Sequence, residues 1–232
     1  MSSSGVLPFV RESRDPFFLV YQMNGNHYPY SEHSPESAKV FLPEKNPNSR
    51  NAYDNSMLYT DRALGTLLDA LARDKPDTWV FFVSDHGQAI SEDGATTRFH
   101  SGYDDDIIRV PFLVRPPPGT DDAVLKALKA NADGPTSQAD LFATSLDILG
   151  QEAVRPFDGL SLRQVVPTDR VRFCSEFMPT FSNNPSAAYV DAQSRVFKLD
   201  FNRMQVFDKD DKLISRINEL DKSVLRILEQ RL

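Results

Sequence analysis

Apolar residues along this chain recur in runs whose length and spacing predict alternating strands and helices. Residues 16–22 and 78–83 are continuous runs of aromatic and branched residues, which are typical of strands buried on both faces. Between them, residues 57–71 carry apolar side chains at helical spacing, so one face of this predicted helix should pack on a sheet. Residues 107–114 form a third apolar run, which ends at a proline-rich stretch. Buried strands joined by a helix favour a parallel sheet covered on both faces.

The second half of the chain begins with helical patterns and then changes to short alternating stretches. Two helices are predicted at about 122–131 and 138–149, the second with Ser137 as its N-cap. From about residue 171 the alternation predicts an antiparallel meander, and a final amphipathic helix is expected at about 219–230. The meander strands are expected at residues 187–191, 195–200 and 204–207. The predicted fold class is therefore α/β: a three-layer sandwich with a mostly parallel central sheet, plus a small C-terminal antiparallel sheet.

Length and composition narrow the classes of function. We expect one domain over residues 1–232, in which residues 171–232 form a C-terminal antiparallel subregion ending in a helix. A net charge of −7 argues against a nucleic-acid partner. No apolar run approaches the ~20 residues that a membrane-spanning helix needs. Cys174 is the single cysteine, so no internal disulfide can form.

The first candidate site is Asp85-His86-Gly87, which directly follows the predicted strand at 78–83. In open parallel sheets, ligands bind beyond the carboxyl ends of the strands, where an adjacent carboxylate and imidazole can both face one cation. An Asp oxygen and a His nitrogen are suitable ligands for Zn²⁺ or a similar divalent ion. The alternative is that Asp85 caps the next turn and His86 is an ordinary surface histidine, since a closed zinc site takes ~4 ligands.

Two further histidines are candidates for the same edge of the sheet. His27 lies just past the first predicted strand, although its Asn-, Gly- and Pro-rich surroundings also fit a simple turn. His100 lies on the loop before the third predicted strand, and a loop of that length can fold back over the strand ends. We interpret His33 as a solvated histidine, and Asp104–Asp106 as a solvated acidic loop that adds to the field near a cation.

Six short pieces of sequence follow one another along residues 17–115 and together indicate a family. They are the first apolar run with GNHYPY ending at Tyr30, Tyr53-Asp54-Asn55 opening a helix with Asp61, VSDHG ending at Gly87, Glu92-Asp93-Gly94, His100, and Val110-Pro111. In this order they resemble the catalytic domain of lipid A phosphoethanolamine transferases, in the alkaline-phosphatase/sulfatase superfamily. Residues 137–160 resemble the helix and turn that follow in sulfatase-like proteins, so the resemblance covers most of the chain.

The resemblance implies an alkaline-phosphatase-like fold and a metal-dependent transferase. Asp85 and His86 would be ligands of a tightly held zinc, or of another divalent metal such as Mn, Ca or Mg. His27 and His100 would bind the substrate phosphate or a second metal. A threonine or serine alkoxide would attack phosphorus and form a covalent phospho-enzyme. By the same resemblance, a phospholipid would be the donor and lipid A or a glycan the acceptor, at the periplasmic face of the inner membrane.

The sequence departs from this family at the nucleophile. In the family the nucleophile and the first acidic metal ligand lie well upstream of the GNHYPY-type loop, and here only 26 residues precede His27. We therefore expect a truncated domain that is inactive alone, with an exposed sheet edge that favours self-association. A sulfatase or phosphodiesterase of the same superfamily is an enzyme alternative. A non-catalytic metal- or anion-binding module is an alternative of another class.

Overall fold

The chain divides into two compact units, which we call the N-terminal and the C-terminal unit. The computed structural model describes residues 5–14, 16–91, 94–95, 103–153, 157–176 and 186–229. The N-terminal unit comprises Met1–Val80, Gln88–Phe99 and Arg115–Pro118, and the C-terminal unit comprises Phe81–Gly87, His100–Val114 and Gly119–Leu232. The single domain expected over residues 1–232 stays a prediction.

The long helix α2, Arg50–Asp74, is the centre of the N-terminal unit. It begins after Ser49, whose side chain accepts a hydrogen bond from the backbone N–H of Ala52. The short helix α1, Val6–Glu12, packs against it. Their contact is an apolar cluster formed by Val10, Leu67 and Leu71. The helix predicted at 57–71 is therefore confirmed, with seven more residues at its N-terminal end.

The prediction of a buried strand at residues 16–22 is wrong. Phe17 and Tyr21 pack against the α1–α2 cluster, whereas Phe18 and Val20 are 79% and 76% exposed. The side chains alternate as they do in a strand, but a strand also needs a hydrogen-bonded neighbour. Within the described part of the chain no strand pairs with this segment. Aromatic and branched composition predicted the extended backbone and could not predict the missing partner.

Two strands of the predicted sheet are present, and they pair with each other. Strand β1, Val80–Val83, lies within the run predicted at 78–83. The run predicted at 107–114 is divided between two elements: a helical turn, α3, at Asp105–Ile108, and strand β4 at Phe112–Arg115. Acidic residues fill the first turn of α3, where the helix dipole favours them, so the strand starts later than predicted. Between β1 and α3, strands β2, Ile90–Ser91, and β3, Gly94–Ala95, pair antiparallel.

Helices α4, Asp122–Asn131, and α5, Ala139–Ile148, confirm the two helices predicted in this part of the chain. The predicted N-cap of α5 is wrong by one residue, because Gln138 occupies that position. Ser137 instead donates its backbone N–H to Oδ2 of Asp140 at 2.8 Å, which ties the residue before the N-cap to the first turn of α5. The side chain of Gln138 makes no capping hydrogen bond and is available for another contact.

The C-terminal unit ends in an antiparallel sheet of five strands in the order β5-β6-β7-β8-β9, of which the alternating pattern predicted the three middle strands. The strands are β5, Arg172–Glu176; β6, Ser186–Val190; β7, Val196–Asp200; β8, Gln205–Phe207; and β9, Leu213–Arg216. The last helix, α6, Lys222–Glu229, buries Val224 and Leu228 against Tyr189, Leu199 and Val206 of this sheet. Among the helices that the structure describes, none is long and apolar enough to cross a membrane.

Candidate functional site

The loop of residues 84–87, which we call the Asp85 loop, leaves β1 and presents a carboxylate and an imidazole side by side. Asp85 Oδ1 accepts the backbone N–H of His86 at 3.0 Å, and Ser84 Oγ donates to the His86 carbonyl at 2.7 Å. These bonds fix the backbone within the loop. The Asp85 side chain is 87% exposed and that of His86 is 35% exposed. Both groups are thus accessible to an ion from solvent.

The ring of His86 is oriented by its own backbone. Nδ1 lies 2.6 Å from the carbonyl oxygen of Gly87, and a carbonyl can only accept, so Nδ1 carries the proton. The other ring nitrogen, Nε2, lies 3.8 Å from Oδ2 of Asp85. Histidines that bind metal commonly donate their other ring N–H to a carbonyl or a carboxylate in this way.

The spacing of these two atoms fits one divalent ion. Zinc ligands lie about 2.0–2.2 Å from the metal, so two of them in a tetrahedral site are roughly 3.3 Å apart. The observed 3.8 Å between His86 Nε2 and Asp85 Oδ2 needs only a small closure of exposed side chains. Across the described residues, no group of three or more His, Cys, Asp or Glu side chains is placed to hold a metal. The pair therefore supplies two ligands of a site that takes about four.

Two other elements hold the Asp85 loop. The Gly87 backbone N–H donates to the carbonyl of Ile107 at 2.7 Å, and a Cβ at Gly87 would overlap the carbonyl oxygen of Asp106. The second element is α5, where Nε2 of Gln138 lies 2.5 Å from the Ser84 carbonyl oxygen and 2.7 Å from that of Asp85. The loop is thus fixed through its backbone, which leaves its two candidate ligands exposed.

In the N-terminal unit, residues 24–27 form the turn that carries His27, which we call the His27 turn. The His27 backbone N–H donates to the Asn24 carbonyl at 3.3 Å, and its Nδ1 lies 2.6 Å from the Tyr28 carbonyl oxygen. Its ring stacks on that of Tyr28 with centroids 4.5 Å apart. Thr60 Oγ1 lies 2.6 Å from Asn26 Oδ1 and anchors the turn on α2. Nε2 of His27 is thereby left as the acceptor, as it is in His86.

The remaining candidates have separate outcomes. His100 lies outside the described residues, so its approach to the Asp85 loop stays a prediction, as does that of His27. His33 is half-buried, and burial lowers its pKa, so it is less solvated than the sequence suggested. Asp105 and Asp106 are exposed in the first turn of α3, and Asp105 pairs with Arg109 at 3.3 Å.

The sequence analysis did not predict a buried ion pair on α5, the helix that begins after Gln138. Asp140 of α5 has 0% of its side chain exposed, and Arg170 has 10%. The guanidinium binds both carboxylate oxygens, each at 2.8 Å. The backbone N–H groups of Leu160 and Ser137 also donate to this carboxylate at 2.8 Å. The one sequence signal was a carboxylate at helical spacing with the small residues Ala143 and Thr144, which are buried too.

The motif Tyr53-Asp54-Asn55 proves to be structural in its last residue. Asn55 is fully buried, and its Oδ1 accepts the backbone N–H groups of Val40 and Phe41 at 2.8 and 2.9 Å. Its Nδ2 donates to the Phe41 carbonyl and to Glu44 Oε1. Asn55 therefore holds the 40–44 segment on α2, and this explains an asparagine inside a helix.

Curated relatives match parts of this chain. Choline-sulfatase of Rhizobium meliloti (strain 1021) is 31% identical over an alignment of 195 residues that covers 67% of this chain and 36% of that protein. The Kdo(2)-lipid A phosphoethanolamine 7''-transferase of Escherichia coli (strain K12) is 30% identical over an alignment of 82 residues that covers 32% of this chain and 14% of that protein. The matched parts thus span about a third or less of these relatives.

The solved structure of YidJ from Bacteroides fragilis shares the fold. It superposes with a TM-score of 0.63 at 18% sequence identity and covers 98% of this chain and 54% of that one. This likeness confirms the α/β, alkaline-phosphatase-like fold. The sulfatase family model matches residues 4–151, which include β1, the Asp85 loop and the His27 turn. Since that match covers more than half of the sequence, the chain belongs to the sulfatase family, within the alkaline-phosphatase superfamily.

Proposed function

We propose that this chain provides metal ligands to an active site that cleaves or transfers a sulfate or phosphate ester. The observation that carries the proposal is the pairing of Asp85 with His86 on a loop fixed through its backbone. His86 holds its proton on Nδ1 against the Gly87 carbonyl, which leaves Nε2 facing the Asp85 carboxylate. This donor set suits zinc, and also accepts a harder ion such as Mn²⁺, Mg²⁺ or Ca²⁺ through its oxygen.

A bound divalent ion would supply Lewis acidity and would offset the negative charge that develops on ester oxygens. Asp85 would contribute the anionic ligand, and His86 the neutral one. We further propose that His27 and His100 bind the charged oxygens of the ester. His27 is suited to this role because its exposed ring is fixed by Tyr28 and by the turn.

Two ester classes remain as branches of the proposal. The relatives include a choline-sulfatase and a lipid A phosphoethanolamine transferase. Sulfate ester hydrolysis is supported by the longer matched region, and phosphoethanolamine transfer by GNHYPY and Tyr53-Asp54-Asn55. The transferase branch carries with it a phospholipid donor, a lipid A or glycan acceptor and the periplasmic face of the inner membrane. Exposed Phe18 and Val20 support the proposal of self-association.

Zinc binding tests the ligands. We expect calorimetric titration of the chain with Zn²⁺ to give weak binding, because two identified ligands fall short of ~4. Asp85→Ala should weaken it by at least about 10-fold, since even residues that only support a ligand contribute that much. Asp169→Ala is the matched control, because this exposed aspartate lies elsewhere in the C-terminal unit. Equal affinity in the two variants would remove Asp85 from the site.

Turnover tests the reaction. No residue of this chain matches the family's nucleophile motif, so we expect no metal-dependent cleavage of an aryl sulfate or an aryl phosphodiester by the chain alone. Turnover that Asp85→Ala abolishes would place a nucleophile within these residues, and the preferred ester would identify the branch. Zinc binding without turnover agrees with the expectation and with a non-catalytic metal-binding module.

A further inference from the structure

We propose that Gln138 is a positioning residue that holds the Asp85 loop in its metal-binding conformation. This inference rests on the proposed function, because it assigns Gln138 a task at the same site. Its side chain leaves the N-cap position of α5 and reaches a loop 53 residues earlier in the chain. There its amide nitrogen contacts two successive carbonyl oxygens, those of Ser84 and Asp85, at 2.5 and 2.7 Å.

The chemistry of this contact requires an amide. The Nε2 group has two N–H bonds, so each can point at one carbonyl oxygen. Both carbonyls belong to the peptide units that flank Asp85 Cα, and fixing these two units sets the direction in which the Asp85 side chain leaves the backbone. Gly87 fixes the other end of the loop through Ile107. Between these two anchors, Asp85 and His86 present their side chains to solvent from a rigid backbone.

Gln138 occupies the N-cap position of α5, but its side chain contacts the Asp85 loop instead of the helix. The Gln138 side chain makes no capping hydrogen bond with the backbone of α5. A side chain at position 138 is therefore free to serve the loop. Because Asp140 is buried and paired with Arg170, α5 is a firm base from which to hold the loop. Gln138 itself is exposed, so its replacement should alter the loop more than the global stability.

Two variants separate donation from charge. Gln138→Met keeps the length and removes both donors. Gln138→Glu keeps the shape but points acceptors at two carbonyls, while its negative charge would by itself attract a cation. Gln164→Met, at an exposed glutamine of the same unit, is the matched control. The unfolding midpoints of all three proteins should lie within about 2 °C of the parent.

The experiment measures Zn²⁺ affinity by calorimetry and amide hydrogen exchange of residues 84–88 by mass spectrometry. We expect both Gln138 variants to raise the zinc Kd by about 10-fold and to exchange faster at Gly87, with no change in Gln164→Met. Unchanged exchange, or tighter zinc binding by Gln138→Glu, would overturn the positioning role. If the parent binds no zinc while exchange still responds to Gln138→Met, the proposed metal site fails and Gln138 holds the loop for another reason.

Discussion

The two histidine loops of this chain reach the same local geometry by different supports. In each, Nδ1 of the histidine lies 2.6 Å from the carbonyl of the following residue, which leaves Nε2 as the acceptor. The Asp85 loop follows a paired strand and is confined by backbone atoms of α3 and by the amide of Gln138. The His27 turn follows a segment that pairs with no strand in the described part of the chain, and it contacts α2 through side chains, those of Met57 and Thr60.

This difference shows what a fixed ligand loop requires beyond its own sequence. The backbone carbonyl of Asp106 beside Gly87 cannot rotate away, whereas the Thr60 side chain beside Gly25 can change its χ1 angle. We therefore expect substitutions in the Asp85 loop to cost more stability than substitutions in the His27 turn, where neighbouring side chains can move. Substitutions at matched positions in the two loops can measure the difference.

The largest loss of stability is expected when the buried ion pair between Asp140 of α5 and Arg170 is broken. Asp140→Ala would leave Arg170 without its carboxylate partner and would remove the acceptor of two backbone N–H groups. Breaking a buried ion pair by removing one partner costs about 3–5 kcal/mol. Urea denaturation should show this loss in the free energy of unfolding.

Asp147→Ala is the control on the same helix. Asp147 pairs with Arg163 at 2.9 Å, but both side chains are about one-third exposed, so solvent screens the pair and we expect a loss of about 1 kcal/mol. Similar losses in Asp140→Ala and Asp147→Ala would mean that the Asp140–Arg170 pair is not the anchor of α5.

Local sequence patterns predicted helices α2, α4, α5 and α6, the middle strands of the C-terminal sheet and the place of the Asp85 loop, but not what holds that loop. The apolar spacing along α2 and the alternation in the C-terminal sheet depend on each residue's near neighbours, so one sequence suffices. Gln138 contacts a loop 53 residues away, and Asp140 pairs with a residue 30 positions later. Such partners have no local period. The run at 16–22 failed for the same reason, because composition does not say which strand lies beside it.

The second prediction tests the backbone contact beside Gly87. Gly87→Ala places a methyl group against the Asp106 carbonyl, and the backbone of either the loop or α3 must shift. Overpacking of this kind typically costs 1–3 kcal/mol, and we expect about 3 kcal/mol here because no side chain can yield. The same shift should break the bond from the Gly87 N–H to Ile107 and weaken zinc binding. A thermal unfolding midpoint equal to the parent's would show that the backbone around Asp106 can move aside at little cost in stability.

The smallest effect is expected at the His27 turn. A double-mutant cycle there can show that the space beside Gly25 is limited by the Thr60 side chain. A Cβ at Gly25 would overlap Thr60 Oγ1, while Thr60 Cβ would lie at an ordinary 3.5 Å. Gly25→Ala should therefore cost about 1 kcal/mol, since Thr60 can rotate. Thr60→Ala should cost about 1 kcal/mol through the lost contact with Asn26. In the double variant Oγ1 is gone and the new methyl group fits, so the combined loss should fall about 1 kcal/mol short of the sum. Strict additivity in urea denaturation would mean that Gly25 is needed for its backbone conformation and not for the space beside Thr60.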